Sequence, residues 1–177
     1  VRSRGLGDVY KRQSLISKPR APRPRDRRLE EGDLERLISA CTNTNSWFRP
    51  VVLFAIETGM RRGEILGLQW EHVDLDRRIA YLPLTKNGSS REVPLSTKAA
   101  QVLARQRQRN DTPSPFPVTP NGFRLAWDKL RGPAGLSDLR FHDLRHEAIS
   151  RFFELGLNIP EVAVISGHKD PRMLFRY

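Results

Sequence analysis

The chain has 177 residues and a formal net charge of +11, a length that suits one domain with its own hydrophobic core. With 38% apolar and 29% charged residues, the composition is that of a globular protein and excludes a disordered one. The single cysteine, Cys41, excludes a disulfide framework and fits a reducing cytosol, and neither a secretory signal nor an apolar run of roughly 18 residues is visible.

The positive charge is concentrated at the start of the chain. Residues 1–28 contain ten Lys and Arg against two Asp, whereas residues 29–177 contain 21 Lys and Arg against 18 Asp and Glu. Three prolines and little apolar periodicity predict that residues 1–28 are a basic arm or linker, which either binds phosphates or stays solvated. The chain begins with Val, and residues 5–13 resemble translated sequencing-adapter sequence. We therefore expect a fragment whose natural N-terminal part is missing.

Two helices are predicted before the first candidate site residue. An amphipathic helix is predicted from Leu29 to Cys41, and an apolar, central helix from Ser46 to Thr58. Gly59 then supplies a helix stop.

A short helix from Met60 to Leu68 follows, with Arg61 and Glu64 three residues apart. Such a pair is ordinarily a surface ion pair that contributes little stability. Because Arg61 directly follows a tight turn between two apolar helices, its long side chain can instead be aimed at a site.

The next stretch predicts a β-hairpin. Strand-like runs from Ile79 to Leu84 and from Arg91 to Leu95 flank a turn-rich connection that contains an Asn-Gly step. Lys86 lies near the tip of this hairpin. It is either a solvated charge or a functional group that needs a partner docked at the tip.

The remainder predicts mostly helix, and the expected fold class is α+β, mostly helical with a small antiparallel sheet of two or three strands. The predicted elements are a helix from Thr97 to Arg109, a proline-rich loop from Asp111 to Pro120, a helix capped by Asn121 and bearing Phe123, Trp127 and Leu130, a helix from Phe141 to Leu155, a helix that starts at Pro160 and closes at Gly167, and a short helix capped by Asp170 and ending at Tyr177.

The helix from Phe141 to Leu155 carries an unusual inward pair. His142 and Arg145 are neighbours on the side opposite the solvent face, at the helix end with free N–H groups and a positive dipole. This pattern fits either a phosphate site or a capped helix whose Arg pairs with a carboxylate. At 100° per residue the predicted inward arc holds Leu144, Ala148, Phe152 and Leu155, and the predicted solvent face holds Glu147, Ser150, Arg151 and Glu154.

Five blocks in order resemble the catalytic domain of the tyrosine recombinases, the phage-integrase family. They span Leu29 to Tyr177 and are specific as a set, although each alone is weak. The blocks are Thr58-Gly59-Met60-Arg61-Arg62-Gly63-Glu64-Ile65, the hairpin with Lys86, His142-Asp143-Leu144-Arg145-His146, Gly167-His168, and Tyr177 nine residues after His168.

The resemblance implies site-specific DNA recombination, integration or excision, through a 3′-phosphotyrosyl intermediate and without a cofactor or metal. It implies that Tyr177 is the nucleophile and that Arg61, Lys86, Arg145 and His168 contact the DNA phosphate. Arg61 and Arg145 would clamp the non-bridging oxygens, His168 would add a donor, His142 would take the Tyr177 proton, Lys86 would protonate the departing 5′-oxygen, and Glu64 would support Arg61.

The resemblance also implies the setting of the reaction. The expected partners are double-stranded DNA and other copies of the protein, in a tetrameric synapse, with no membrane and no small-molecule substrate. A bacterial or phage-encoded protein in the cytoplasm, at the nucleoid, is expected. Residues 29–177 would be the catalytic domain, truncated at the nucleophile and without the N-terminal core-binding domain, so we expect this chain alone to form little covalent adduct.

Three other interpretations stay open at this stage. A catalytically inactive DNA-binding module would keep the fold, although the retained site residues argue against such decay. A zinc hydrolase could use His142 and His146, but Arg145 stands between them and no HExxH pattern is present. A helical scaffold without a site would leave the inward Arg145 unexplained.

Overall fold

The computed structural model describes residues 25, 27–41, 47–83, 90–109 and 111–177. Across these ranges it contains seven α-helices and a three-stranded antiparallel sheet, which confirms the predicted α+β, mostly helical class. Lys86 and the predicted hairpin turn lie outside the described residues. The helices are α1 Asp33–Ser39, α2 Phe48–Thr58, α3 Arg62–Leu66, α4 Thr97–Arg109, α5 Pro120–Arg131, α6 Phe141–Glu154 and α7 Ile159–Ser166, with 3-10 helices at Trp70–His72 and Pro171–Leu174.

The sheet is ordered β1-β2-β3, with β1 Val73–Asp74, β2 Ile79–Leu82 and β3 Arg91–Pro94. Ala80 pairs with Val93, and both side chains are fully buried. The alternation of buried and exposed residues along β2 and β3 is that of a sheet with one face on the core. The sheet thus brings the first residue of β3 to the inner side of the domain.

Helix α2 is the centre of the core and packs against α4 and α6. An aromatic cluster joins it to α5 and α6: Phe48 stacks on Phe123 with ring centroids 5.4 Å apart, and Phe141 meets Phe123 edge-on at 4.7 Å. At the end of α2, Gly59 adopts a φ of 60°, and a Cβ there would lie 3.3 Å from the Phe152 ring. The close contact with α6 and the positive φ both call for glycine.

Several predicted helix boundaries are wrong, including that of the short helix predicted from Met60 to Leu68, which spans Arg62–Leu66 as α3. Helix α1 begins at Asp33 rather than Leu29, because the Asp33 carboxylate accepts the Glu30 N–H at 3.0 Å and closes a turn before the helix. Helix α5 is capped by Thr119, whose hydroxyl accepts the Gly122 N–H, since Pro120 rather than Asn121 opens it. The last helix is a 3-10 helix that ends at Leu174.

The predicted solvent face of α6 is also wrong in part. Glu147 and Ser150 are only 4% and 7% exposed, whereas Leu155, predicted to face inward, is 76% exposed. The segment before α1 causes the difference: Arg28 donates to Glu147 at 3.1 Å and so covers this side of the helix. Leu155 follows the last turn as the C-cap and points away from the core. Among the described helices, none has the length and apolar character required to cross a membrane.

Candidate active site

Arg61 lies between α2 and α3 in an extended conformation, as the N-cap residue of α3 rather than inside a helix. Glu64 fixes it twice: one carboxylate oxygen accepts the Arg61 backbone N–H at 2.8 Å, and the other accepts Nη1 at 3.0 Å. The remaining Nη2 donates to the carbonyl of Gly167 at 3.2 Å. Arg61 is therefore held by a local acid and directed towards a distant turn.

Arg145 lies in the second turn of α6 and is 4% exposed. Its guanidinium donates to the carbonyl of Gly59 and, at 2.7 Å, to the carbonyl of Ser166. These carbonyl contacts differ from the carboxylate pairing that a merely structural arginine would make. Burial, and then the charge of Arg61, lower the pKa of Arg145 to about 10, so the group is still cationic at neutral pH.

The turn that both arginines contact is the end of α7. Gly167 closes the helix with a φ of 70°, and His168 follows it. The Ser166 hydroxyl donates to the Val162 carbonyl at 2.5 Å and lies 2.6 Å from Nδ1 of His168. Because a hydroxyl has one proton, Nδ1 must carry the proton of this second bond, and Nε2 of the neutral ring is then an acceptor. Burial, followed by the charges of Arg145 and Arg61, lowers the pKa of His168 to about 4.

Tyr177 contacts His146, a histidine to which the recombinase resemblance gave no role. Its phenol oxygen lies 2.5 Å from Nδ1 of His146, and the two rings are stacked with centroids 5.6 Å apart. Arg176 Nη2 approaches the same imidazole at 2.6 Å. Burial and then the Arg176 charge lower the pKa of His146 to about 4, so the ring is neutral at pH 7. In the tautomer with the proton on Nε2, Nδ1 is a hydrogen-bond acceptor within reach of the phenol hydroxyl. The signal in the sequence was the position of His146, one turn after His142 on the same side of the helix.

His142 lies beside this pair, one turn earlier on α6. It meets His146 edge-on with ring centroids 5.0 Å apart. Contrary to the prediction of an inward side chain, His142 is exposed, since the helix end opens into a concavity. Partial loss of hydration and then the Arg145 charge lower the pKa of His142.

These side chains line one concavity of about 590 Å³, called here the main concavity. Five residues predicted for the site line it although up to 116 positions separate them in the sequence: Arg61, His142, Arg145, His168 and Tyr177. His146, Arg25, Arg140, Lys169 and Arg176 add further donors, against the acids Asp143 and Asp170. The arrangement suits an anion with several oxygens.

A second concavity of about 610 Å³ adjoins it, and Arg61, Arg140, His142 and Arg145 line both. This basic concavity extends the positive surface to Arg62, Arg124 and Arg131, against the single acid Asp128. Within the described part of the chain, no group of three or more His, Cys, Asp or Glu is placed to hold a metal ion.

Comparison with known proteins agrees with these features. The family model of the phage integrase family matches residues 27–177. The chain is 48% identical over 164 residues to a shufflon-specific DNA recombinase of Escherichia coli, covering 92% of this chain and 42% of that protein. It is 29% identical over 181 residues to the integrase of Salmonella phage P22, covering 92% and 46%.

The fold has solved relatives. A lambda integrase dimer bound to a COC′ core site superposes with a TM-score of 0.73 at 20% identity, covering 89% of this chain and 49% of that one. The chain thus spans less than half the length of the two curated relatives.

Proposed function

The chain belongs to the phage integrase family, and from this membership and the site geometry we propose that it is the catalytic part of a site-specific DNA recombinase. One observation carries the proposal. The guanidiniums of Arg61 and Arg145 meet at the 166–168 turn in the concavity that also holds the Tyr177 phenol. Two fixed cations beside a nucleophile are what phosphodiester transfer without a metal requires.

In the proposed reaction the Tyr177 oxygen attacks the scissile phosphorus, forms a phosphotyrosyl bond and expels the 5′-oxygen. Arg61 and Arg145 neutralise the non-bridging oxygens, on which negative charge grows in the transition state. The departing 5′-oxygen takes a proton, a role that the family resemblance gives to Lys86. A 5′-hydroxyl of a partner strand then attacks the phosphotyrosyl phosphorus and releases Tyr177. The covalent link conserves the bond energy.

The phenol proton goes to His146 in this proposal, rather than to His142 as the resemblance implied. In the tautomer with the proton on Nε2, Nδ1 is the acceptor, and it lies 2.5 Å from the phenol oxygen before attack. The negative charge of the bound phosphate raises the pKa of this ring and so makes it a better proton acceptor. His142, exposed to the main concavity and in edge-on contact with His146, is left to contact the phosphate.

Double-stranded DNA is the proposed partner. The lambda integrase relative is bound to DNA as a dimer, and the basic concavity here offers Arg62, Arg124 and Arg131 to phosphates beyond the scissile one. We also propose, as the finer expectations of this function, a tetrameric synapse, a catalytic domain over residues 29–177, and action in the cytoplasm at the nucleoid.

The test is covalent adduct formation on nicked suicide duplexes with randomised flanks. Because this chain spans less than half of its curated relatives, the parent protein in the test is the full-length protein that contains it. It should yield a DNA-linked band that resists denaturant, and Tyr177→Phe should abolish the band while leaving DNA affinity unchanged, because only the nucleophilic oxygen is lost. Tyr81→Phe is the matched control, since Tyr81 lies on β2 and is 41% exposed. DNA binding with no adduct from the parent protein would favour the inactive DNA-binding module. An adduct from Tyr177→Phe would identify another nucleophile.

A further inference from the structure

Neither the sequence motifs nor the proposed reaction assigns a role to Arg91. It is the first residue of β3, and its side chain is 9% exposed. Nη1 and Nη2 donate to the two carboxylate oxygens of Glu64 at 2.9 and 2.7 Å. Nε donates to the Ile165 carbonyl, at the end of α7, at 3.2 Å. Three of its N–H groups are therefore committed to two different segments.

Both segments hold a residue of the proposed phosphate site. Glu64 is the acid that fixes Arg61 through the backbone N–H and Nη1. Ile165 begins the turn whose carbonyls receive Arg61 and Arg145 and which ends at His168. Burial raises the pKa of Glu64, but the hydrogen bonds from Arg91 and Arg61 outweigh it and keep the pKa below its ordinary value, so the carboxylate is charged.

Gly167 makes this contact possible. A Cβ on Gly167 would lie 2.8 Å from Nη1 and 2.9 Å from Cζ of Arg91. The guanidinium therefore lies flat against the glycine, and the absence of a side chain there serves two purposes. Gly167 adopts the left-handed φ that closes α7, and it leaves room for Arg91.

We propose that Arg91 is a positioning residue that sets the distance between Arg61 and His168 by joining Glu64 to the 165–168 turn. The inference rests on the proposed function, since it matters only if these two groups hold the phosphate. A guanidinium suits the task because its donors are coplanar and fixed, and β3 anchors it to the sheet. The ammonium of a lysine would keep the charge but could not span both segments with the same geometry.

Arg91→Lys is the decisive substitution, measured by single-turnover adduct formation at saturating DNA. The rate should fall by up to about 10²-fold, the cost of a small misplacement of reacting groups, while the Kd for DNA stays unchanged. Gly167→Ala should likewise lower the rate and leave the Kd unchanged, since its Cβ would displace the Arg91 guanidinium from the turn. Arg78→Lys is the matched control, because Arg78 is an exposed arginine that directly precedes β2 and contacts Thr97.

A double-mutant cycle separates positioning from general destabilisation. If Arg91 acts through Glu64, Arg91→Lys should add no further rate loss to Glu64→Gln, even where each change lowers Tm. Additive losses, an unchanged rate in Arg91→Lys, or a weaker affinity for DNA with an unchanged rate at saturation would each overturn the proposal. These outcomes differ from a failure of the proposed function, in which the parent protein itself forms no adduct.

Discussion

At the scale of single residues, the site combines fixed cations with histidines that the free protein keeps neutral. The same desolvation and the same neighbouring guanidiniums lower the pKa values of His142, His146 and His168. A bound phosphodiester should reverse this balance, because its negative charge offsets the charges of the arginines. If the proposed function holds, the protonation of the histidines should therefore be coupled to DNA binding.

His168 should take up a proton when DNA binds. Its Nδ1 is committed to Ser166, so Nε2 can donate to a phosphate oxygen only in the protonated ring. The pKa of His168 is about 4 in the protein without DNA, and the charge of a bound phosphate raises this pKa. At a pH between the two pKa values, DNA binding should therefore add a proton to His168. Calorimetry at about pH 5.5, below the ordinary histidine value, in two buffers of different ionisation enthalpy should show net uptake. His168→Gln should reduce this uptake, and equal uptake by the variant would contradict the assignment.

His146 should be visible in the pH profile of cleavage. With the neutral imidazole as acceptor, the adduct rate at saturating DNA should be nearly independent of pH around neutrality. His146→Ala should lower the rate by about 10² to 10⁴-fold, the usual contribution of a general base. The rate of this variant should then rise with pH, because only an ionised phenol can attack. His72→Ala, a histidine that contacts Tyr81 beside the sheet, should behave as the parent protein.

At the scale of elements, α6 is held by the segment that precedes α1. Arg25 donates to Asp143 at 3.1 Å and Arg28 to Glu147 at 3.1 Å, and these carboxylates have only 2% and 5% of their side-chain surface exposed. Along the helix, Asp143 directly follows the site residue His142, and Glu147 directly follows His146. The arginines of this segment therefore stabilise the helix that carries half of the site, instead of remaining solvated as a free basic arm.

Arg28→Ala should destabilise the fold. It leaves buried Glu147 with Arg151 as its ion-pair partner, and since Arg28 is itself 44% exposed we expect a loss of roughly 1 kcal/mol. Burial raises the pKa of Glu147, but the hydrogen bonds and charges of Arg28 and Arg151 lower it by more. The pKa of Glu147 in the folded protein is therefore below its ordinary value. The contribution of the Arg28–Glu147 ion pair to stability is thus fully present above the pKa that Glu147 has in the unfolded chain. It is lost as the pH falls through the pKa that Glu147 has in the folded protein.

Urea unfolding of the parent and the variant at neutral and acid pH measures this difference. The gap in the free energy of unfolding should shrink in acid. Arg172→Ala is the control, because Arg172 pairs with Asp170 at the surface and should change the stability very little. A gap of the same size at both pH values would show that the charge of Glu147 is not involved.

These elements show why the sequence predicted one part of the site and not another. Arg61, His142, Arg145, His168 and Tyr177 lie in local motifs, next to a glycine turn or a helix end whose geometry follows from a few neighbours. Arg91 and Arg28 acquire their roles through partners 27 and 119 positions away, and periodicity carries no information on such pairs. The helical periodicity of α6 even predicted the wrong face for Glu147, because a covering segment cannot be read from the helix alone.

At the scale of the whole molecule, the net charge divides into three parts. Residues 1–24 contain seven Lys and Arg against one Asp in the sequence, and their structure is not described. Arg25, Arg27 and Arg28 are paired with carboxylates of the body. The basic concavity concentrates arginines beside the site. A third concavity, called here the acidic hollow, is lined by Glu71, Asp74, Asp76 and Glu92. A nearly balanced body can therefore present one strongly positive face to DNA.

The salt dependence of DNA binding should locate this face. Replacing both Arg124 and Arg131 by Ala removes two exposed or half-exposed guanidiniums from the basic concavity. If both contact phosphates, the slope of log Kd against log salt should fall by about 0.9 for each. Replacing Arg77 and Arg107 by Ala is the control with the same change in net charge, because both line the acidic hollow.

The control should leave the slope unchanged if the position of the charges, rather than their number, determines binding. Equal losses in the two double variants would mean that only the net charge matters, and the proposed DNA path would then be wrong. Deleting residues 1–24 in each background tests the arm separately, since this deletion retains the arginines that hold α6. A further fall in slope, the same in both backgrounds, would assign the remaining phosphate contacts to the arm, because independent contacts contribute additively to counterion release.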